Sequence, residues 1–596
     1  MPALTLRRRP LPATPVTWPA GVPAALQRVY AARGITDAAE VEHRLARLLP
    51  PQALGGLDAA VALLADAIAA DADILIAGDY DCDGATGVAV GVRGLRLLGA
   101  RRVRYAVPHR RVHGYGLTPA LVASLTPLPD LIVTVDNGIA SHTGITAARA
   151  GGARVIVTDH HLPGPTLPDA DAIINPNLPE DAFPSKALAG VGVMFYLLLA
   201  LRARLREQGW FALVEKCSDG PPLRDLRDQG DCRNTAGPDL SVLLDLVALG
   251  TVADLVPLDR NNRILVEAGL RRIRAGRACA GIAALLACGK RDVARAVSGD
   301  LGFVAGPRIN AAGRLQDMTL GIECLLTDDP GRALDLADRL SAINAERREL
   351  QDGMTAQAQA EVEKWISARG ADALPHGVVL FDPDWHHGVV GLVASRLKES
   401  LHRPVIACAP ADPRTGEIKA SGRSIPGFHL RDALAEVDAR CPGLIARFGG
   451  HAMAAGLSLN LADLDTFRAA FDAVARSRLE PEMLDAVLLT DGELDASDFT
   501  LDLAQLLRYA GPWGQVFPEP VFEGEFTVES WRVVGERHLK LKLRHPGLPD
   551  PIDAIAFNSR TDESPPVRLR AVFQLDVNEW NGAQSLQLLI RHMEHA

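Results

Sequence analysis

From about residue 70 the chain alternates short β-branched apolar runs with segments of helix length. The runs are DILIAG (73–78), VRYAV (103–107), LIVTV (131–135), RVIVT (154–158) and DAIIN (171–175). Runs this short and this continuously apolar fit strands covered on both faces of a mostly parallel sheet. Polar residues gather directly after each run, at the carboxyl ends of the predicted strands, where open α/β sheets bind ligands. A second α/β unit is predicted over about 375–475, from GVVLF, a helix over VGLVASRLKES, then PVIACA and EIKAS. Between the two, Gly331–Gly370 is charged and free of proline; as one helix it would span about 60 Å, enough to bridge two domains. From about residue 517 the pattern turns all-β. HLKLKLRH (538–545) alternates strictly, with Leu539, Leu541 and Leu543 on one face and Lys540, Lys542 and Arg544 on the other. AVFQLDVNEW and AQSLQLLI flank Asn581-Gly582, a strong hairpin signal. A small barrel of the OB kind fits this length, as do other small barrels.

A chain of 596 residues exceeds one hydrophobic core. The pattern divides it into an N-terminal segment (1–69), an α/β domain (70–330), a connecting helix (331–370), a second α/β domain (371–480) and a β domain (481–596). The fold class is therefore multidomain α/β with an all-β C-terminal part. A hydrophobic share of 48% with 23% charged residues excludes a disordered or fibrous chain. The longest apolar stretch, Ala187–Leu201, is shorter than the roughly 20 residues of a membrane helix and stops at Arg202, so it reads as a core helix. Arg7, Arg8 and Arg9 are followed by proline-rich sequence and not by an apolar segment, which predicts a cytoplasmic protein without a secretory signal. Residues 217–238 read as a polar insertion.

The cysteines, at 82, 217, 232, 279, 288, 324, 408 and 441, form no CxxC pair, which argues against a disulfide framework or structural zinc. Cys82 sits among carboxylates that raise a thiol's pKa, and it reads as structural. The net charge of −10 does not advertise a nucleic-acid binder, but a local field can differ from the net charge, and bound divalent cations reverse the sign of an acidic site. Arginines cluster at 101, 102, 104, 110 and 111, and again at 271, 272, 274 and 277. Each cluster reads equally as a solvated face or as a phosphate contact.

The acidic residues carry the chemistry. GDYDCDGATG follows the first run and sets Asp79, Asp81 and Asp83 on alternate positions. Three carboxylates this close repel unless a cation neutralises them, so a divalent metal site is the economical reading. A calcium-binding EF-hand loop shares D-x-D-x-D-G, but it needs a glutamate where Val90 stands and a helix where a strand precedes. An acidic turn without function is the remaining alternative. TVDNGI places Asp136 at the end of another run, VTDHH places Asp159, His160 and His161 at the end of the next, and LGTVADLVPL places Asp254 after an apolar helix. Mixed carboxylate and imidazole ligation suits Mn²⁺ better than Ca²⁺ or an all-oxygen Mg²⁺ site. Two metals clamped by shared carboxylates would serve in-line attack of water on a phosphoryl centre.

DYDCDG, VDNGI, DHH and GTVADLVPL, in this order and spacing, resemble the four motifs of the DHH phosphoesterase superfamily. GPRINAAGRL (306–315), WHHGVVGLVASRL (385–397), SGRSIPGFHL (421–430) and FGGHAMAAGL (448–457) resemble its RecJ-like exonuclease branch. The likeness runs from about residue 70 to the C-terminus, with no break in the acidic set. It implies a DHH domain, a DHH-associated domain and an OB-like domain. It also implies Asp81, Asp83, Asp136, His160 and Asp254 as ligands of two Mn²⁺ or Mg²⁺ ions, with Asp136 bridging and Asp79 either a further ligand or a support to one. His161 matches the histidine facing the scissile phosphate, with Asp159 orienting it. Arg308, Ser421 and Arg423 match positions that hold a terminal 5′-phosphate; ordinary salt bridges are the alternative for the two arginines.

Gly449, Gly450 and His451 match a tight loop approaching the strand, His451 being open between substrate contact and loop packing. Tyr115, in HGYGL, is open between a base-stacking platform and a core tyrosine. Lys540, Lys542 and Arg544, with Trp531 or Trp580, offer a track for single strands or merely a solubilising face. The activity implied is 5′→3′ hydrolysis of single-stranded DNA to mononucleotides in repair and recombination. A helicase and a single-strand-binding protein are the implied partners, and the chain is implied to be a monomer. One rival is a DHH enzyme of oligoribonucleotides or cyclic dinucleotides, which needs no OB-like module. Another is a non-catalytic single-strand-binding scaffold, against which the intact ligand set stands.

Overall fold

The computed structural model describes residues 4–110, 112–212, 237–369, 374–412, 416–535, 537–559 and 565–596. Arg111, most of the polar insertion (217–236, with Cys217 and Cys232) and the side chain of Trp580 lie outside the described residues.

After a first strand, β1 (Leu4–Arg8), the five apolar runs become β2 (Ile74–Ala77), β3 (Val103–Ala106), β4 (Leu131–Val135), β5 (Arg154–Thr158) and β6 (Ala172–Ile174). Every pairing among these five is parallel, in the order β3-β2-β4-β5-β6. Alternation along each strand divides the side chains between two cores. Ile74, Ile76 and Val133 pack with the helices Cys82–Leu97 and Gly190–Glu207, while Leu75, Ala77, Ile132 and Val155 pack with Leu121, Ile145 and Ala148 on the other face. Burial on both faces explains why the runs carry no polar alternation. The stretch Ala187–Leu201 lies largely in the second of those helices, whose residues 190–198 are all buried. Among the described residues no single helix is long and apolar enough to cross a membrane. The chain runs from β2 to β3 on one side and then crosses back over β2 to β4 on the other, and so creates the switch point at which such sheets hold ligands.

The charged segment forms one helix, Pro330–Arg369, of 40 residues. Proline at its first position supplies a preset φ and no orphan N–H. Residue contacts divide the chain within this helix: residues 9–341 and 491–596 form one unit, and the first strand with residues 342–490 forms another.

In the second unit, β7 (Val378–Phe381), β8 (Val405–Asp412), β9 (Glu417–Arg423), β10 (Arg447–Gly450) and β11 (Ala454–Asn460) make a mixed sheet in the order β10-β11-β9-β8-β7. Only β7 and β8 are parallel, joined through the helix Val390–Leu401. A further strand, β12 (Ala486–Thr490), pairs in parallel with β1.

The C-terminal part is a closed five-stranded barrel of β13 (Phe522–Val534), β14 (His538–Arg544), β15 (Ile552–Ala556), β16 (Arg568–Trp580) and β17 (Ala583–His595), in the order β13-β14-β15-β17-β16. Leu539, Leu541 and Leu543 fill its interior. Asn581 and Gly582 join β16 to β17 with φ of 50° and 79°, the positive pair of a two-residue hairpin turn. Barrel interior and sheet face form one continuous apolar cluster.

The cations of β14 are not a free row. Lys540 lies 3.6 Å from Asp553 on β15, and Arg544 pairs with Glu529 on β13. The arginine clusters are likewise engaged: Arg104 pairs with Asp73 at 3.0 Å, and Arg271 and Arg274 share Glu267.

Candidate metal centre

The loop after β2 turns directly into the helix Cys82–Leu97. Asp81 caps that helix, its carboxylate accepting from Gly84 N at 3.0 Å. Asp83, in the first turn, accepts from the N–H groups of Gly190 (2.6 Å) and Val191 (2.9 Å), at the start of the helix Gly190–Glu207. That approach requires glycine at 190, since a Cβ there would stand 2.5 Å from the Cβ of Asp136. Asp136 follows β4 with a φ of 60°, a backbone state that aspartate tolerates better than most residues. Asp254 ends the helix Leu244–Ala253.

These elements converge. His160 Nε2 lies 3.0 Å from Asp136 Oδ1, 3.5 Å from Asp254 Oδ2 and 3.9 Å from Asp83 Oδ2. Three overlapping groups, Asp136–His160–His161, Asp83–His160–Asp254 and Asp79–Asp81–Asp136, each keep their ligand atoms within 4.8 Å of one another. All six residues expected as ligands therefore lie together, and His161 lies with them.

The electrostatics of the cluster are unbalanced. Burial, reinforced by Asp81, pushes Asp83 up to about 7. Burial, with repulsion from neighbouring carboxylates, holds Asp79, Asp136 and Asp254 well above the usual carboxylate range. Asp79 Oδ1 is buried without a hydrogen-bond partner. A buried, unpaired carboxylate oxygen among mutually repelling carboxylates is what a cation site presents before loading. Oxygen donors with one or two imidazoles fit a divalent first-row ion.

Asp159 plays a different part. Its Oδ1 accepts from the backbone of His160 (2.7 Å) and of His161 (3.1 Å) and pairs with His161 Nδ1 at 2.7 Å, while Oδ2 accepts from Ile139 N at 2.9 Å. Burial would raise this carboxyl, but the His161 bond and the charges of both histidines outweigh it and hold it low. Burial works against the charge on His161, yet its bond to Asp159 raises it to about 9. Asn175 and Asn177 brace the backbone carbonyls of His161 and His160.

Tyr115 stands at the rim, 46% exposed, with its ring edge-on to His161 at 6.2 Å; it is not a core tyrosine. Arg110 lies over the Tyr80 ring at 4.0 Å, a cation–π contact within the same loop region.

The substrate-side residues divide between the two units. Arg308 lies on the helix Gly306–Leu315, donating to Ser341 Oγ at 2.9 Å and Val304 O at 2.7 Å. In the second unit, Arg423 donates to Ser421 Oγ (3.0 Å) and Gly422 O (2.8 Å). Among the described residues no carboxylate pairs with Arg423, and burial lowers its pKa. β-sheet register sets Gly449, Gly456 and Ser421 in one row across β10, β11 and β9. A Cβ on Gly449 would meet nothing within 4 Å, whereas one on Gly391 would stand 2.8 Å from Ser421 Oγ. His451 is exposed at the β10–β11 turn.

The DHH family N-terminal domain matches residues 73–216, the DHHA1 domain matches 375–477 and the RecJ OB domain matches 490–592. Parallel sheet, carboxylate–histidine cluster and domain order together define a protein of the DHH class. The single-stranded-DNA-specific exonuclease RecJ of Dickeya dadantii is 51% identical over 99% of this chain and 98% of its own length, and that of Escherichia coli K12 is 49% identical over 98% of each. The crystal structure of RecJ in complex with Mn²⁺ from Thermus thermophilus superposes with a TM-score of 0.75 at 31% identity, covering 96% of this chain and 76% of that one. The chain belongs to the RecJ family.

Asn175, Asn177, Gly190, Val191 and Asn310, which accepts from Cys82 N at 2.8 Å, are site residues that sequence reasoning missed. Asn310 lay within a motif singled out for its arginine, and the two backbone donors have no side-chain signal.

Proposed function

We propose that the chain hydrolyses single-stranded DNA from the 5′ end, releasing mononucleotides, with two divalent ions, Mn²⁺ or Mg²⁺, as cofactors. The observation that carries this reading is the set of three linked groups at the carboxyl edge of the parallel sheet, two of carboxylate with histidine and one of carboxylates alone. Asp79, Asp81, Asp83, Asp136, His160 and Asp254 would hold the ions, Asp136 contributing to both. Such ions lower the pKa of water and neutralise charge on the phosphoryl group.

The remaining residues orient and bind. Asp159 fixes His161 through Nδ1, so that Nε2 faces the scissile phosphate as a donor. Arg308, Ser421 and Arg423 hold the terminal 5′-phosphate, a role favoured for Arg423 because no carboxylate among the described residues pairs with it. Gly449, Gly450 and His451 let the strand approach the sheet, and Tyr115 stacks on a base beside His161. The functional division is a segment 1–69, a DHH domain 70–330, a connecting helix 331–370, a substrate-binding domain 371–480 and a strand-binding barrel 481–596. A monomer acting in the cytoplasm, in DNA repair and recombination, with a helicase and a single-strand-binding protein as partners, completes the reading.

The test is a metal-dependent assay on single-stranded oligonucleotides of increasing length, labelled at either end, with duplexes as control. Mononucleotides should appear first from the 5′ end, grow with length of the substrate and vanish with chelator. Turnover confined to dinucleotides, or unaffected by chelator, would overturn the proposal.

A further inference from the structure

The helix Gly306–Leu315 does more than carry Arg308. Cys82 is the first residue of the helix that follows the acidic loop, and its N–H is one of the donors that no helix can satisfy internally. It donates to Asn310 Oδ1 at 2.8 Å, an acceptor 228 positions away in the chain. One turn further along the same helix face, Gly313 lies against Tyr80, where a Cβ would stand 1.9 Å from the carbonyl oxygen. One helix therefore pins the loop on both sides of Asp81.

The choice of acceptor matters. The Cys82 N–H sits among Asp79, Asp81 and Asp83, any of which offers a stronger acceptor than an amide. Asp81 already accepts from Gly84, and Asp83 from Gly190 and Val191. Asp79 Oδ1 alone is buried and unpartnered. A neutral amide takes the N–H without consuming a carboxylate oxygen and without adding negative charge to a cluster that already repels itself.

We propose that Asn310 is a positioning residue for the metal loop, occupying the Cys82 N–H so that the carboxylates remain directed at the ions. The proposal rests on the metal reading given above. Partners of this kind are worth roughly 10–100-fold in metal affinity when removed.

The experiment is calorimetric titration of the metal-free full chain with Mn²⁺, for wild type, Asn310→Leu and Asn310→Asp, alongside steady-state hydrolysis of a short oligonucleotide. Asn310→Leu keeps the volume and loses the acceptor; it should bind Mn²⁺ roughly tenfold or more weakly. Its kcat should fall at limiting Mn²⁺ and recover at saturating Mn²⁺, with KM for the oligonucleotide unchanged. Asn310→Asp keeps an acceptor oxygen but adds a negative charge to the cluster, so it should bind Mn²⁺ no more weakly than wild type while melting lower without metal. Wild-type affinity in Asn310→Leu, or a kcat loss that excess Mn²⁺ does not restore, overturns the proposal alone. Failure of the wild type itself to take up Mn²⁺ overturns the metal reading and this proposal with it.

Discussion

The metal centre and the cationic strand of the barrel are both rows of like charge, and they are built in opposite ways. At the centre, carboxylates outnumber the imidazoles that could balance them: His160 and His161 face Asp79, Asp81, Asp83, Asp136 and Asp254. On β14 Lys542 is exposed and the other two cations are half-buried, and neighbouring strands bring Asp553 and Glu529 to those two. A buried unbalanced cluster is costly by itself and gains much from a bound ion. An exposed balanced row gains little from any single partner. Charge repetition in sequence thus means ligand binding only where burial denies it a local answer.

The largest effect should come from breaking the unbalanced side. Asp136→Asn removes a charge yet suits the positive φ of that position. Hydrolysis should fall by roughly a thousandfold or more, since metal-held charge is worth several kcal/mol at ~1.4 kcal/mol per decade. Thermal stability without metal should hold or rise, because a repelling carboxylate is gone. A variant that loses activity together with its fold would remove Asp136 from the metal site.

Next is the metal itself. At roughly a hundredfold excess over Kd, Mn²⁺ should stabilise the protein by about 2.7 kcal/mol. Asp83 has a folded pKa of about 7 against an ordinary value of 3.8, so without metal its stabilising share is present in acid and lost as pH rises through 7. The melting-temperature gain on adding Mn²⁺ should therefore widen between pH 5 and pH 8. A gain independent of pH would mean that these carboxylates are not the groups being neutralised.

A smaller effect is expected at the phosphate end. Arg308→Gln and Arg423→Gln should each reduce the preference for 5′-phosphorylated over 5′-hydroxyl strands by about tenfold, the scale of one charge-assisted bond. Hydrolysis rates on both substrates for each variant give the ratio directly. An unchanged ratio would assign both arginines to bracing: Arg308 to Ser341 and Val304, Arg423 to Ser421.

Much of the centre was legible because its residues follow strands: Asp79, Asp136 and Asp159 come directly after apolar runs that could only be buried. The parallel sheet, the long helix and the Asn581-Gly582 hairpin were legible for the same reason, since periodicity and turn chemistry are local. What stayed hidden depends on register between distant segments. Nothing near Cys82 names Asn310, and nothing near Leu4–Arg8 names Ala486–Thr490 as its parallel partner. The alternation of HLKLKLRH gave the inward leucines correctly, but the acids opposite Lys540 and Arg544 belong to β15 and β13, and only the barrel's pairing brings them near.

That last point sets the smallest prediction. If the barrel tracks a single strand, each free cation on β14 contributes about 0.7 to the slope of log affinity against log salt. Lys542 has no ion-pair partner among the described residues, whereas Lys540 and Arg544 spend part of their charge on Asp553 and Glu529. Lys542→Gln alone should therefore lower the slope by about 0.7, roughly a twofold change in affinity over a threefold change in salt. Adding Lys540→Gln and Arg544→Gln should lower it by less than the further ~1.4 that free cations would give. Asp553→Asn should act in the opposite direction, releasing Lys540 and steepening the slope. The measurement is long-strand binding across a salt series with catalysis blocked by chelator. Equal slopes for wild type, Lys542→Gln and Asp553→Asn would place the strand away from β14 and leave this row a balanced surface.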